Sequence, residues 1–361
     1  MIGGAEVLSF HLTREYIRRG HDVLVVAACE ASDRAGRQTY AGIDIVRLEF
    51  GAALARRDLS AIRGINDQLA GLLDDFRPDV LHLNDALLSS FFFQRGGSTG
   101  DLPRILTLHS TIRSDKGTLQ DRLIADADRV VAVSQAQADA IAAAVPAASA
   151  KLSVIRNALP MPSMMPTEVP KGSARLLCLG RLLSDKGFDV AIRAMALLRS
   201  RGVAATLTIA GDGPEHGSLV SLATELGLAS QVEFVGWVMP DDVPGLIDGS
   251  AIVVVPSRWA EPFGLVALQA AQMARPAIVS NVGGLPEIVE HGRSGLVVEA
   301  EEADQLAGAI MQLLGDPPAA RSFGAAARQR ACDRFDFSRL VSDYENVLRE
   351  ATLLRRGPQS G

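Results

Sequence analysis

Two cations and an acid stand out by type and spacing. In "LGRLLSDKGFDVAIRAM" (179–195), Arg181 and Lys186 flank a short loop between a strand-like run and a helix-like one. Two positive side chains placed there can clamp a diphosphate leaving group and stabilise the charge that develops as it departs. Charges on a protein surface are more often simply solvated. Lysine is scarce in this chain, however, with four among 36 basic residues, so one inside this loop is informative. The second stretch is "WAEPFGLVALQAAQMARP" (259–276), where Glu261 precedes Pro262. Proline fits a first helical position and steers the residue before it out of the α region, which predicts a helix with Glu261 at its threshold. Glutamate is a poor cap, so its bland role is as a partner of the helix dipole, worth a few tenths to about 1 kcal/mol. Against that, "PFGL" offers N–H groups beside Gly264, suited to an anionic or hydroxyl-rich ligand. Gln269 follows two turns later near the same face, where an amide can donate to and accept from a diol. Taken alone, this helix leaves both readings open.

Weaker candidates sit at other strand ends. "IAGDGPE" (209–215) and "VGGLPE" (282–287) are glycine turns, which by themselves say little. "LTLHST" places His109 at the end of a strand, and "LNDALLS" does the same for Asn84 and Asp85. A lone histidine is more often structural than catalytic. No His, Asp or Cys spacing resembles a metal site, which points to chemistry without a metal. Cys29, Cys178 and Cys332 are too few and too scattered for a disulfide framework and are assigned no function.

The elements that must position these residues alternate, β-rich runs with helical patterns, the mark of parallel sheets covered by helices. The first half offers "DVLVVAA", "GIDIVRLE", "DVLHLN", "RILTLH" and "RVVAVS"; the second "ARLLCLG", "ATLTIAG", "QVEFVG", "AIVVVPS" and "PAIVSN". Between them, residues 158–173 hold four of the 17 prolines and show no period, as a linker does. The chain therefore reads as two doubly wound α/β domains, 1–157 and 174–334, facing each other across a cleft. Residues 335–361 form a C-terminal helix able to pack back on the first domain. One element is out of order. "MIGGAEVLSFHLTREYIRRGHD" puts a glycine pair and an amphipathic helix, with Leu8, Leu12 and Tyr16 on one stripe, at the very start. Such a pair normally ends a strand, so the first N-terminal strand reads as missing.

At 361 residues and 48% hydrophobic, the chain is long enough for two cores. A net charge of −6 and a pI near 5.6 argue against nucleic acid as a partner. No apolar run spans a bilayer and no secretory leader is read, so a cytoplasmic location is expected. "ARRDLSAIRG" (55–64) carries three arginines that could meet acidic lipid at a membrane surface, though a solvated helix face is the commoner meaning.

In their order, the Gly-Gly start, strand-end His, "GRLLSDKG", "AGDGP", "VGWV", "PSRWAEPFGLVALQAA" and "ARPAIVSNVGGLPEIVEHGRSGLVV" resemble the retaining glycosyltransferases of family 4, which have the GT-B fold. The likeness runs the whole chain and is strongest over 179–298. It implies a nucleoside-diphosphate sugar as donor, an acceptor of unspecified kind, no resident cofactor and no metal. Arg181 and Lys186 would hold the diphosphate. Glu261 would contact the sugar, and the backbone of Phe263, Gly264 and Leu265 would line sugar and phosphate. Gly3 and Gly4 would match the family's glycine loop, His109 its histidine near the sugar, and Trp237 and Val238 its base-contacting loop. Departure of the nucleoside diphosphate and front-face attack by the acceptor would retain configuration.

Two departures qualify this. The acid that binds the nucleotide ribose in the family is Gln269 here, and losing a charge-assisted acceptor costs on the order of 1 kcal/mol of donor affinity. The missing strand removes packing behind Gly3 and Gly4. Together they motivate an alternative, a glycosyltransferase-like binder of nucleotide sugars without turnover; a sugar-nucleotide epimerase is the remoter one.

Overall fold

The computed structural model describes residues 3–29, 35–85, 88–93, 99–112, 118–169 and 172–356. It divides into two compact units. One comprises Met1–Val7 with Asn157–Phe337, and the other Leu8–Arg156 with Ser338–Gly361.

The second of these carries seven strands: β1 (Leu24–Ala28), β2 (Gly36–Tyr40), β3 (Ile43–Leu48), β4 (Leu81–Asn84), β5 (Arg104–Leu108), β6 (Arg129–Ala132) and β7 (Leu152–Val154). They form two sheets, in the orders β1-β3-β2 and β4-β5-β6-β7. Among the described residues β1 and β4 are therefore each paired on one side only. Their residues are largely half-buried, whereas every residue of β5 is buried. β2 pairs antiparallel with β3 and is exposed throughout; its "GRQTY" has no apolar alternation to announce it. The helix Gly4–Arg18 buries Leu8, Leu12 and Tyr16 on one face, as its stripe requires.

Residues of the helix Phe337–Arg356 pack in this unit through polar and aromatic contacts. Arg19 donates to Glu345 at 2.8 Å and to Ser342 at 3.0 Å. Arg129 reaches Glu350 at 3.1 Å, and the Tyr344 ring lies 5.3 Å from that of His82.

The other unit holds one continuous six-stranded sheet: β8 (Arg175–Leu179), β9 (Thr206–Ala210), β10 (Val232–Gly236), β11 (Ile252–Val255), β12 (Ala277–Ser280) and β13 (Gly295–Val298). Its order is β10-β9-β8-β11-β12-β13, and all its pairings are parallel. Leu177, Ile209, Val253 and Ile278 are sealed in it, which explains runs such as "AIVVVPS": a strand covered on both faces needs apolar residues at every position. Cys178 is sealed there too, and burial pushes its thiol pKa up, fitting a small hydrophobe. The strand order reverses between β8 and β11, the point at which open α/β sheets bind ligands at their carboxyl ends. Among the described residues no helix is long and apolar enough to cross a membrane.

Candidate functional site

The loops leaving β8 and β11 meet at this reversal. After β8 the chain passes exposed Arg181, makes a short 3-10 turn at Ser184–Lys186 and enters the helix Phe188–Ser200 through Gly187. Gly187 has φ +66°, and a Cβ there would lie 2.0 Å from the carbonyl oxygen of Pro256. Only glycine lets the two loops touch.

Arg258, on the β11 loop, ties them together. Its backbone N–H donates to Asp185 O at 2.8 Å. Its guanidinium donates to Ser184 O at 2.8 Å, to both oxygens of Asp189 at 2.6 Å, and to Glu301 at 2.8 Å. These bonds, to Asp189 above all, raise the Arg258 pKa. Burial pushes the Asp189 carboxyl up, but the bonds from Arg258 outweigh it and hold the pKa below the usual value. A planar guanidinium with a bidentate partner fixes position in a way a lysine would not.

On this frame Lys186 Nζ donates to Glu261 Oε1 at 2.5 Å. The Ser257 hydroxyl donates to the same oxygen at 2.7 Å. Lys186 also lies 5.0 Å from the centroid of the Trp259 ring, a cation–π contact. Glu261 is 8% exposed. Arg181, Lys186 and Glu261 thus follow two adjacent strands, β8 and β11, as a guanidinium, an ammonium and a secluded carboxylate. That set can neutralise a dianion and accept hydroxyl donors beside it.

The helix expected at Pro262 begins later. It spans Leu265–Gln272, with Gly264 before it at φ +109°. Residues 261–264 are irregular because the 283–284 turn packs on them. Gly284 N–H donates to Glu261 O at 2.8 Å, and a Cβ on Gly283 would lie 2.1 Å from that oxygen. Pro262 is therefore not at the first helical position, and Glu261 lies in the loop rather than at the helix mouth. Its reading as a dipole partner falls away.

Other singled-out residues divide into those drawn to this loop and those placed elsewhere. A Cβ on Gly4 would lie 2.7 Å from Leu265 Cδ1, so the N-terminal glycine pair, Gly3 and Gly4, comes up beside the start of that helix. Phe263 is buried edge-on to Phe335, with centroids 5.6 Å apart, leaving its backbone rather than its ring to face a ligand. Gln269 is half-buried on the same helix, and Gln272 donates to Leu159 O at 2.8 Å, tying the linker down. Trp237, 41% exposed, and Val238 follow β10, the edge strand at the far end of the sheet. His109 belongs to the other unit, directly after β5 and half-buried. Next to it Ser110 donates to Asp85 at 2.7 Å and accepts at its carbonyl from Gln137 at 2.9 Å. Arg56, Arg57 and Arg63 of the basic stretch are exposed in that unit.

Two family models together match most of the chain. One, described as Glycosyltransferase Family 4, covers residues 2–161; the other, Glycosyl transferases group 1, covers residues 164–330. The chain is a family 4 glycosyltransferase. A glycogen synthase of Mycobacterium tuberculosis is 29% identical over 99% of this chain and 94% of its own length. Among solved structures, the sucrose-phosphate synthase of Thermosynechococcus elongatus superposes with a TM-score of 0.83 at 22% identity, covering 96% of this chain and 93% of that one. Anabaena HepE, solved with UDP-glucose, gives 0.77 at 21% identity over 97% of each chain. These neighbours establish the GT-B fold.

Within this family 4 enzyme, Ser257, Arg258, Trp259 and Asp189 join the candidate site through their contacts with Glu261, Lys186 and one another, and no motif or spacing in the sequence singles them out. Ser257 stands four positions before Glu261 in a loop, so no helical or strand period links them. Asp189 and Arg258 meet only because β8 and β11 are neighbours.

Proposed function

We propose that this glycosyltransferase moves a hexose from a nucleoside-diphosphate sugar to an acceptor, with retention of configuration and without a metal. The observation that carries the reading is the contact of Lys186 with Glu261 across the loops that leave the carboxyl ends of β8 and β11, with Arg181 on the same β8 loop. Arg181 and Lys186 take the diphosphate and stabilise it as the bond between the anomeric carbon and the phosphate oxygen breaks, the electron pair leaving on that oxygen. The acceptor oxygen attacks from the same face, and the departing phosphate receives its proton. Glu261 accepts hydroxyl hydrogens of the transferred sugar. Gly3, Gly4 and the backbone at 263–265 line the phosphates, Gln269 meets the ribose, Trp237 and Val238 meet the base, and His109 serves the sugar. A cytoplasmic setting, with the acceptor drawn from solution or a membrane surface, fits the reading. The UDP-glucose bound by HepE supports a donor of this class.

Donor hydrolysis and transfer to an acceptor panel, followed by release of nucleoside diphosphate, test it. Arg181→Ala and Glu261→Ala are expected to lower turnover by about 10²-fold or more while the melting temperature holds. Unchanged turnover in both would remove the assignment, and an inverted anomer in the product would remove retention.

A further inference from the structure

Lys186 and Glu261 are assigned to opposite ends of the donor, the diphosphate and the sugar, yet in the structure they hold each other. Nζ and Oε1 are 2.5 Å apart, with side chains 21% and 11% exposed. A secluded carboxylate stripped of its cation is costly, because desolvation has already been suffered and the compensating charge is gone. Among the described residues the Ser257 hydroxyl is the other donor to Glu261, and it shares the same oxygen. Lys186 has an alternative support in the Trp259 face, which does not depend on Glu261.

We propose that the Lys186–Glu261 pair makes this site choose a sugar nucleotide over the free nucleoside diphosphate, with Glu261 as the specificity-determining residue. The inference rests on the donor-site reading above. A diphosphate alone draws Lys186 toward its charge and leaves the Glu261 carboxylate with Ser257. A diphosphate that carries a sugar brings hydroxyl donors to the same carboxylate, so one set of partners is exchanged for another. Once the sugar has been transferred, that compensation is lost, and re-formation of the ion pair opposes retention of the diphosphate product. Specificity here comes from a penalty on the wrong ligand as much as from contacts to the right one.

The test is calorimetric titration of the full chain with UDP, GDP and ADP and with UDP-glucose, GDP-mannose and ADP-glucose, on wild type, Glu261→Gln and Ser257→Ala. For whichever base binds, wild type is expected to hold the sugar form more tightly. Glu261→Gln keeps the shape but removes the charge that holds Lys186. It should tighten the bare diphosphate by about tenfold and weaken the sugar form, collapsing the preference. Ser257→Ala should act in the opposite sense on the bare diphosphate, weakening it about threefold or more, because the stranded carboxylate loses its remaining donor. A merely structural role would move both ligands the same way in both variants. A Glu261→Gln protein whose diphosphate affinity stays level or falls overturns the proposal while leaving the donor site intact. If that variant does not fold, a Ser257→Ala protein with level or tighter diphosphate binding does so. Wild type that binds none of the six ligands removes the donor-site reading and the proposal together.

Discussion

The two units solve the same problem, covering a parallel sheet with helices, to different degrees. In one, six strands run in a single sheet, and the loops that carry Arg181, Lys186 and Glu261 leave its central pair, β8 and β11. In the other, the seven strands among the described residues fall into sheets of three and four, with β1 and β4 each bonded there on one flank. A central strand is held by ladders on both sides, and an edge strand by one, so the loops it launches inherit less restraint. The contrast teaches that the loops proposed to bind the diphosphate leave strands flanked on both sides, while His109 follows β5, a buried strand paired with β4, which bonds no second strand among the described residues.

Hydrogen exchange gives the sharpest way to break that comparison. Peptides covering β1 and β4 are expected to exchange at least about 10²-fold faster than those covering β8 and β11, because unpaired edges open locally while a fully flanked strand opens only with its unit. Equal protection at 24–28 and 252–255 would mean that both flanks of β1 are covered, and the contrast would collapse.

Glycine substitutions should separate the units next. Gly187→Ala forces a Cβ onto Pro256 O at 2.0 Å and a left-handed φ onto an L side chain. A loss of about 2–4 kcal/mol is expected, read as a drop of roughly 5–10 °C in melting temperature, together with loss of turnover as Lys186 is displaced. Gly71, in the helix Leu59–Phe76 of the other unit, has nothing within 4 Å of its would-be Cβ. There Gly→Ala should stabilise by about 0.5–1 kcal/mol. A mild Gly187→Ala would show that the β8 and β11 loops can part without cost, and with them the frame assigned to Arg258.

The same contrast marks what could be read from the sequence. Apolar runs such as "AIVVVPS" announce strands buried on both faces, and the alternating helices imply parallel pairing, so the six-stranded sheet was almost fully legible. β13, from "GLVV", is short and was seen only as part of a motif. β2 was invisible because a fully exposed antiparallel edge strand needs no apolar residue at all. At the site, Arg181, Lys186 and Glu261 could be chosen by type and local spacing. The bonds that position them could not, since Arg258 with Asp189 and Ser257 with Glu261 depend on strand order and on an irregular loop. The helix start was misplaced for a related reason. Proline at 262 is compatible with a first helical turn, but the packing of Gly283 and Gly284 on residues 261–264 overrides that preference.

The smallest effect concerns pH, and it too should fall on one unit. His82 on β4 lies 2.8 Å from the Thr107 hydroxyl and beside the Tyr344 ring. Burial, and after it the charge of His109, pushes its pKa down to about 3. In the unfolded chain a histidine titrates near 6.5. Because the folded value is the lower one, the unfolded state binds the extra proton as the medium is acidified. The associated stability is intact above about pH 6.5 and is lost progressively toward pH 3, by up to about 1.4 kcal/mol per pH unit. Glu15, held down to about 2 chiefly by Arg18, loses its contribution between about pH 5 and pH 2, so the interval from pH 6.5 to 5 isolates the histidine. Both tryptophans, Trp237 and Trp259, lie in the unit with the six-stranded sheet, and their fluorescence reports that unit's urea midpoint. That midpoint should change little between pH 7.5 and 5, while exchange protection in residues 81–84 and 104–108 falls. His82→Gln should flatten the second response, and a pH-dependent fall that survives the substitution would show that another group governs this unit.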